Sequence, residues 1–270
     1  MNAPPPSRAP LLELEGIRLA FKAVRAVDGV SFRVQSHEIC AVIGPNGAGK
    51  SSVLNIVSGV YRPDAGSVTF EGERRSFMLP REAARRGIAR TFQNIAVFKG
   101  MSVLENVLTG TNLRVESSWI EQLFGVGRAP RAERREREHA ERVLEFLRLS
   151  RYRNAPVGRL AYGLQKRVEL GRALAAAPRL LLLDEPMAGM NAQEKREMSA
   201  AIVDLNRQLG TTIVLIEHDM RVVMDISDHV VVLDYGRVVG DGTPEQVRDN
   251  PEVLRAYLGT RRQARRLEVA

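Results

Sequence analysis

One short stretch of the sequence has the residue types and spacing needed to bind phosphate. The segment GPNGAGKS fits the pattern G-x-x-x-x-G-K-[ST], and it lies between the apolar run EICAVIG and the helical pattern SSVLNIVSG. Glycines let backbone N–H groups converge on phosphate oxygens, the lysine reaches the β- and γ-phosphates, and the hydroxyl that follows ligates Mg²⁺. The sequence therefore predicts a nucleotide site. The residues expected to form this phosphate-binding loop are Gly44, Pro45, Asn46, Gly47, Ala48, Gly49, Lys50, Ser51 and Ser52.

A second candidate lies later in the chain, where four leucines run into two acidic residues in LLLLDEP. The leucines are typical of a buried strand, and ligands in α/β sheets bind at the carboxyl ends of such strands. Asp184 would hold Mg²⁺ and Glu185 would polarise the attacking water. Acidic residues often only cap strands, so this pair alone is weak evidence for a site. It indicates a catalytic site because a phosphate-binding loop precedes it in the same chain. Together the two motifs predict nucleotide hydrolysis.

Buried strands that alternate with helices are needed to position these motifs, and the sequence has that pattern. LLELEGIRLAF and AVDGVSFRV alternate apolar and polar residues as half-buried strands do, and GSVTFEGE is typical of another strand. EICAVIG, RLLLLDEP, TTIVLIEHD and HVVVLDYGRVV are apolar runs, which favour a parallel sheet covered by helices. The stretch from about Arg81 to Ser150 is predicted to be mostly helical and inserted into this α/β core.

Composition narrows the class of protein. The 270 residues are 44% hydrophobic and 27% charged, which is typical of a globular protein with a substantial core. The apolar runs are far shorter than the roughly 20 residues of a membrane-spanning helix. The start MNAPPPSRAP lacks the apolar segment of a signal peptide. Cys40 is the only cysteine, which excludes an intrachain disulfide and a cysteine metal cluster. We expect a cytosolic protein.

The net charge of +8 arises from 40 basic and 32 acidic residues, and two stretches contribute to the excess. In residues 128–142, RAPRAERREREHAER, glutamates alternate with arginines, which favours a solvated helix with i,i+4 pairs over a nucleic-acid or membrane surface. The tail RRQARR, residues 261–266, leaves two interpretations open: contact with lipid headgroups or a partner, or a mobile end without function. Since we identify no groove-reading element, we expect no nucleic-acid partner.

Two helix starts are evident near the C-terminus. In GTPEQVRDN, Thr243 would cap the helix, Pro244 suits the first helical position and Gln246 completes a capping box. NPEVLRAYLG repeats this logic, with Asn250 as the cap and Gly259 as the end. We expect these features to be structural.

The stretch LAYGLQKRVELGRAL, from Leu160, completes an ordered set of motifs. It is a glycine-bearing turn that feeds an amphipathic helix before LLLLDEP, and IEHDM ends the next strand. This order resembles the ATP-binding cassette (ABC) ATPases over residues 11 to 259. The resemblance implies that Gln93 in RTFQNIAVF senses Mg²⁺ and faces a transmembrane subunit, that His218 contacts the γ-phosphate, and that Phe21 stacks on adenine. ATP and Mg²⁺ are the implied cofactors.

The resemblance also implies a fold: a P-loop NTPase (RecA-like) α/β core with an antiparallel β subdomain and an inserted helical subdomain. The expected divisions are 1–10 for a flexible leader, 11–92 and 166–240 for the nucleotide-binding core with its β subdomain, 93–165 for the helical subdomain, and 241–270 for C-terminal helices and a basic tail. The implied catalytic residues are Glu185, His218 and Gln93. The implied metal ligands are Ser51, Gln93 and Asp184.

In this family two cassettes pair head to tail, so each ATP lies between one phosphate-binding loop and the signature of the other subunit. The signature Leu-Ser-Gly-Gly-Gln is Leu-Ala-Tyr-Gly-Leu here. Ala161, Tyr162 and Gly163 are expected to contact nucleotide in trans, with Gly163 exposed for close approach. The missing serine hydroxyl removes a hydrogen bond of about 1.5–3 kcal/mol and leaves the helix N-terminus to attract the γ-phosphate. Leu164 in place of glutamine predicts a less active composite site.

The sequence LAYG resembles the cassettes of branched-chain amino acid importers. The stretches GIARTFQNIAVFKGMSVLENVL, DEPMAGMN, TTIVLIEHDM and DGTPEQVRDNPEVLRAYLG agree, with Asn191 where the general family has aspartate. The resemblance implies an ATP-hydrolysing importer subunit at the cytoplasmic face of the plasma membrane. Its implied partners are a second cassette, either a copy or a paralogue, two integral membrane permease subunits and, indirectly, an extracytoplasmic solute-binding protein.

Four other functions are alternatives to this one, and most of them require motifs of their own. A urea or short-chain amide importer stays open, whereas a lipopolysaccharide exporter normally keeps the serine and two glycines of the signature. A soluble ABC ATPase of translation or repair typically has two cassettes in one chain or a long coiled-coil insertion. A P-loop GTPase needs an Asn-Lys-x-Asp motif. This sequence lacks the serine and double glycine in the signature, a second cassette or coiled-coil insertion, and the Asn-Lys-x-Asp motif. It does not reveal which substrate is transported.

Overall fold

The computed structural model describes residues 10–93, 95–113 and 129–257, which form two sheets and the helices packed on them. The strands are β1 Pro10–Phe21, β2 Val24–Gln35, β3 Ile39–Ile43, β4 Ala65–Phe70, β5 Glu73–Arg75, β6 Ile88–Arg90, β7 Leu180–Asp184, β8 Thr212–Ile216, β9 His229–Asp234 and β10 Arg237–Gly242. The helices are α1 Lys50–Val57, α2 Pro80–Arg85, α3 Val103–Thr109, α4 Ala129–Phe146, α5 Tyr162–Ala175, α6 Ala192–Leu209, α7 Met220–Ile226 and α8 Pro244–Arg248. Residues 251–257 are also helical.

The larger sheet has six strands in the order β10-β9-β3-β8-β7-β6. All of its strands except β10 run parallel to their neighbours. Strands β3, β7 and β8 are buried at every residue, as expected for parallel strands covered on both faces. The carboxyl ends of β3, β6, β7 and β8 therefore meet at one edge of the sheet, which is where the predicted motifs begin.

Side chains that alternate along the central strands divide the core into two layers. Leu180 and Leu182 pack in the cluster that also contains residues of β1, β2 and α1, whereas Leu181 and Leu183 pack with α3, α4, α5 and α6. This follows from the two-residue period of a strand. The antiparallel sheet, in the order β2-β1-β4-β5, thus covers one face and the helical part covers the other. The predicted domain boundary at residue 165 falls inside α5.

The stretch from about Arg81 to Ser150 is mostly helical over its described residues, as expected, but it also contains strand β6, which the sequence pattern did not indicate. Residues Ile88–Arg90 form an edge strand that pairs in parallel with β7, with Arg90 opposite Leu182. A strand of three residues is too short to show a period of two in the sequence, and its pairing depends on residues far along the chain. This strand is important because Gln93 lies three residues after its end.

The described residues near the C-terminus follow the predicted pattern, whereas the N-terminal boundary differs by one residue. Thr243 and Gln246 form the predicted capping box at the start of α8, and Asn250 accepts a hydrogen bond from the Glu252 N–H at 2.9 Å. Gly259, the predicted helix end, lies outside the described residues. Strand β1 begins at Pro10, within the predicted leader. Among the helices of the described residues, none combines the length and the apolar character required to cross a bilayer.

At the opposite edge of the large sheet, His229 is held between two carboxylates. Its Nδ1 lies 3.0 Å from Glu38 Oε1, and its Nε2 contacts Asp241 Oδ1. Burial opposes the charge of this imidazole, but hydrogen bonds with Asp241, Cys40 and Glu38 raise the pKa of His229 to about 12. Because the partners belong to β10 and to β3 with its flanking residue, the imidazolium ties three segments together.

We predict that this histidine makes stability depend on pH. A folded pKa above the unfolded value of about 6.5 gives stabilisation that is complete below pH 6.5 and is lost progressively as pH rises towards 12. The free energy of unfolding should therefore fall between pH 7 and 8.5, by up to about 1.4 kcal/mol per pH unit. Urea denaturation of the wild type and of His229→Gln measures this contribution as the difference between the two pH slopes. Equal slopes would show that His229 is neutral in the folded chain.

Candidate active site

The loop between β3 and α1 requires glycine at two positions because it packs closely against the sheet. A Cβ on Gly44 would lie 2.0 Å from the Leu233 carbonyl oxygen, and a Cβ on Gly49 would lie 2.4 Å from that of Ala26. Both glycines have positive φ, as does Gly47, where an added Cβ would meet no atom within 4 Å. Thus the loop is fixed against β2 and β9 on one side while Gly47 faces open space.

Helix α1 begins without a side-chain cap. Its N-cap residue is Gly49 in the left-handed conformation, and a glycine has no side chain that could accept a hydrogen bond from the first turn. Uncapped N–H groups at a helix start attract anions, both as donors and through the helix dipole. Ser51 is exposed and Ser52 is half-buried on this turn. The local structure therefore suits the phosphate site that the sequence predicts.

Lys50 lies across the loop rather than in solvent. Its Nζ donates to the carbonyl oxygens of Gly44 at 2.7 Å and Pro45 at 2.9 Å. Burial lowers the pKa of Lys50, while the charges of Glu185 and Asp184 oppose this shift. The ammonium group is thus held on the loop carbonyls, within electrostatic reach of the acidic end of β7.

Asp184 ends β7 with its side chain only 4% exposed. One oxygen, Oδ2, accepts a hydrogen bond from Arg90 Nη2 at 2.8 Å, and the other, Oδ1, is buried with no hydrogen-bond partner among the described residues. A buried carboxylate oxygen without a partner suits a hard cation such as Mg²⁺. Among the described residues, no group of three or more His, Cys, Asp or Glu side chains is placed to hold a metal. The predicted set of Ser51, Gln93 and Asp184 contains only one such residue, so it fits Mg²⁺ bound chiefly by substrate and water.

The structure brings the three predicted catalytic residues together. Glu185 Oε1 lies 2.8 Å from His218 Nε2, and Glu185 Oε2 accepts a hydrogen bond from Gln93 Nε2 at 3.2 Å. These residues follow three neighbouring strands, β6, β7 and β8. Glu185 has a φ of 49°, a left-handed conformation that costs a residue with a side chain about 1–2 kcal/mol. Its N–H is held by the Ile216 carbonyl oxygen at 3.0 Å.

Arg90 is a functional residue that the sequence analysis missed. Its guanidinium joins Asp184 to α1, because Nη1 donates to Asn55 Oδ1 and to Ser58 Oγ at 3.2 Å. The signal in the sequence is an arginine three residues before Gln93, but the interaction depends on strand β6, which the pattern did not indicate. Arg90 occupies one oxygen of Asp184 and leaves the other available.

Phe21 ends β1, and its ring lies 5.2 Å from the ring of Tyr61 in an edge-to-face arrangement. Phe21 is 45% exposed, and the adenine stacking that the resemblance implies stays a prediction. Tyr61 was not predicted. It supports the aromatic ring from the segment that follows α1.

The signature residues lie at the start of α5, and one of them corrects the sequence analysis. Ala161 is the exposed N-cap without a side-chain hydrogen bond, and the ring of exposed Tyr162 lies beside Gly189. Gly163 is buried rather than exposed, and an added Cβ would meet the Glu194 carboxylate of α6 at 2.5 Å. Leu164 is half-buried against the helical cluster, and the weaker composite site that it predicts stays a prediction.

Comparisons with known proteins agree with this geometry. A family model described as ABC transporter matches residues 27–188. The chain belongs to this family. A second model, described as Branched-chain amino acid ATP-binding cassette transporter, matches residues 237–262. The ABC family confirms the fold class, the nucleotide binding and the transport-coupled ATPase activity that the ordered motifs predicted.

Related proteins match almost the whole chain. The high-affinity branched-chain amino acid transport ATP-binding protein BraF of Pseudomonas aeruginosa is 42% identical over 93% of this chain and 98% of its own. LivG of Escherichia coli (strain K12), with the same description, is 38% identical over the same shares. The ADP conformation of MJ1267, an ATP-binding cassette of an ABC transporter, has a TM-score of 0.81 and 34% identity over 93% of this chain and 99% of that one.

We predict that Arg90→Met impairs both stability and turnover. It would leave the buried Asp184 carboxylate without its cation, a change that costs about 3–5 kcal/mol in other buried pairs. ATP turnover should fall at least about tenfold because Asp184 is no longer fixed. Urea denaturation and ATPase assays measure the two effects. Arg134→Met is the control, since Arg134 pairs with Glu138 on the exposed face of α4. Equal turnover in both variants would contradict a role for Arg90.

Proposed function

We propose that this chain hydrolyses ATP at the site formed by the phosphate-binding loop and the ends of β6, β7 and β8. The observation that carries the proposal is the contact of Glu185 with both His218 and Gln93, next to the uncapped start of α1. Two residues that follow other strands, Gln93 and His218, thus contact the carboxylate of a third, Glu185. Phosphoryl transfer depends mainly on positioning and on stabilising charge, which is what such an arrangement supplies.

In the proposed mechanism, Glu185 orients the attacking water and accepts its proton, while Gln93 and His218 hold the carboxylate in place. Lys50 and the N–H groups at the start of α1 stabilise the negative charge that develops on the transferred phosphoryl group. Water oxygen attacks the γ-phosphorus and ADP leaves. Ser51, Gln93 and Asp184 would hold Mg²⁺, which would supply charge neutralisation on the phosphate oxygens when bound.

We further propose that this activity drives import of branched-chain amino acids. The support is the agreement of BraF and LivG along nearly the whole chain, together with the C-terminal family model. In this proposal the chain lies at the cytoplasmic face of the plasma membrane and pairs head to tail with a second cassette. Ala161, Tyr162 and Gly163 then act on the partner's nucleotide. Two integral membrane permease subunits dock near Gln93, and a solute-binding protein delivers the cargo from outside.

We predict that Glu185→Gln keeps ATP binding and loses turnover. Glutamine preserves the shape and a hydrogen-bonding group, but it cannot accept the proton of water. ATPase activity should fall about 10²–10⁴-fold, while the Kd for ATP stays within about threefold. Glu252→Gln is the matched control, because Glu252 is an exposed carboxylate on helix 251–257. Near-normal hydrolysis by Glu185→Gln would refute the role of Glu185.

Partner capture tests the transport function. Tagged Glu185→Gln chain, isolated with ATP from detergent-solubilised membranes of its host, should bring down two polytopic membrane proteins and a second cassette. Adding Lys50→Met removes the phosphate ligand and should weaken recovery of the second cassette. The associated solute-binding protein should bind leucine, isoleucine or valine; binding of urea instead would overturn the substrate. Recovery of ribosomes or DNA without membrane proteins would leave the ATPase and overturn the importer.

A further inference from the structure

Helix α5 contains a buried ion pair that the proposed mechanism does not use. Lys166 and Glu169 lie three residues apart, their charged groups are 3.8 Å from each other, and each side chain is only 2% exposed. Burial raises the pKa of Glu169, and the nearby Lys166 opposes that shift. Buried charges of this kind are rare unless further hydrogen bonds satisfy them. The partners of this pair therefore indicate what it does.

Both side chains bind the backbone of the segment that contains Gln93. Lys166 Nζ donates to the Gln93 carbonyl oxygen at 3.0 Å. Glu169 Oε1 accepts hydrogen bonds from the N–H groups of Ala96 at 3.2 Å and Phe92 at 3.4 Å. One face of α5 thus holds both ends of this glutamine segment, by which we mean the described residues 92, 93, 95 and 96.

The next turn of α5 adds a third contact on the same face. The Arg172 guanidinium donates to the Ala96 carbonyl oxygen. Residues 166, 169 and 172 repeat every three positions, which places them on one side of a helix. No helix other than α5 provides charged side chains to this segment among the hydrogen bonds and ion pairs of the described residues. The conformation of the glutamine segment is therefore linked to the position of α5.

We call the side chains of Lys166, Glu169 and Arg172 the α5 clamp. Gln93 connects this clamp to the proposed catalytic centre. Its carbonyl oxygen accepts a hydrogen bond from Lys166, and its side-chain amide donates a hydrogen bond to Glu185 at 3.2 Å. We infer that Lys166 and Glu169 are positioning residues that hold the Gln93 side chain against Glu185. The inference deepens the proposed function and rests on the role given there to Gln93. Neither residue touches the catalytic carboxylate, so each acts through the glutamine segment.

The position of α5 gives this arrangement a consequence for coupling. The helix starts at Tyr162, directly after Ala161, and reaches Lys166 within its second turn. A displacement at the signature therefore moves the groups that hold Gln93. Lys166 therefore links the first two turns of this helix to the backbone of Gln93.

The first test is Lys166→Met in the full-length chain, assayed for ATP turnover in the complex captured with its partners. Misplacement of Gln93 should lower kcat about 10- to 100-fold with KM for ATP within about twofold. Lys166→Arg should restore most of the turnover because it keeps a buried cation that donates to the carbonyl. Wild-type kcat in Lys166→Met would overturn the inference.

A double-mutant cycle separates positioning from a purely structural role. In a Gln93→Ala background, Lys166→Met should change kcat by less than about twofold, because there is no glutamine side chain left to position. The same fold-loss in both backgrounds would overturn the inference. If Lys166→Met shows no cooperative thermal transition, Lys166→Met/Glu169→Gln removes both charges and takes its place in the cycle. Unchanged turnover in that folded double variant would overturn the inference as well.

Two further results distinguish this inference from the function on which it rests. Normal turnover by Gln93→Ala alone would overturn the role proposed for Gln93 and the clamp with it. Impaired Gln93→Ala combined with normal Lys166→Met would overturn the clamp alone. Arg167→Met is the matched control, since Arg167 is the next residue on α5 and pairs with Glu197 on α6 instead of the glutamine segment. Its kcat should stay within about twofold of wild type.

Discussion

Backbone hydrogen bonds align β6, β7 and β8 in parallel, with Arg90 opposite Leu182 and Asp184 opposite Ile216. Residues just beyond these ends start from neighbouring points in space although they lie far apart in the sequence. The meeting of Gln93, Glu185 and His218 follows from this register. A slip of one residue would turn each side chain to the other face of the sheet, so the packing of the leucines in β7 also fixes the catalytic geometry.

At the sheet edge, Arg90, Asp184 and Lys50 each have a hydrogen-bond partner, and Asp184 Oδ1 is the oxygen for which the described residues provide none. Arg90 neutralises one side of Asp184, and Lys50 is held by loop carbonyls close to both acidic residues. Substrate phosphates would enter a site whose cations are already in place. Such an arrangement avoids large rearrangement during reaction, which is how enclosed polar sites stabilise developing charge.

Local motifs were predictable from the sequence, whereas contacts between distant segments were not. The phosphate-binding loop and the β7 acidic pair are contiguous, and their chemistry follows from residue type and spacing. Strand β6, the Arg90–Asp184 pair and the α5 clamp exist only because remote segments meet. Gly163 illustrates the difference. The sequence pattern singled out this glycine, but the structure requires a residue without a side chain here because the Glu194 carboxylate of α6 is close, and not because a ligand needs access. A single sequence contains no direct signal of that contact.

The backbone of Glu185 has a consequence for how this site evolves. Its left-handed conformation is one that glycine or asparagine adopts at lower cost. Selection for stability alone would favour either residue at this position. A glutamate here lowers the free energy of unfolding but provides a carboxylate. Burial of the β7 leucines stabilises the fold, so the protein can tolerate this loss.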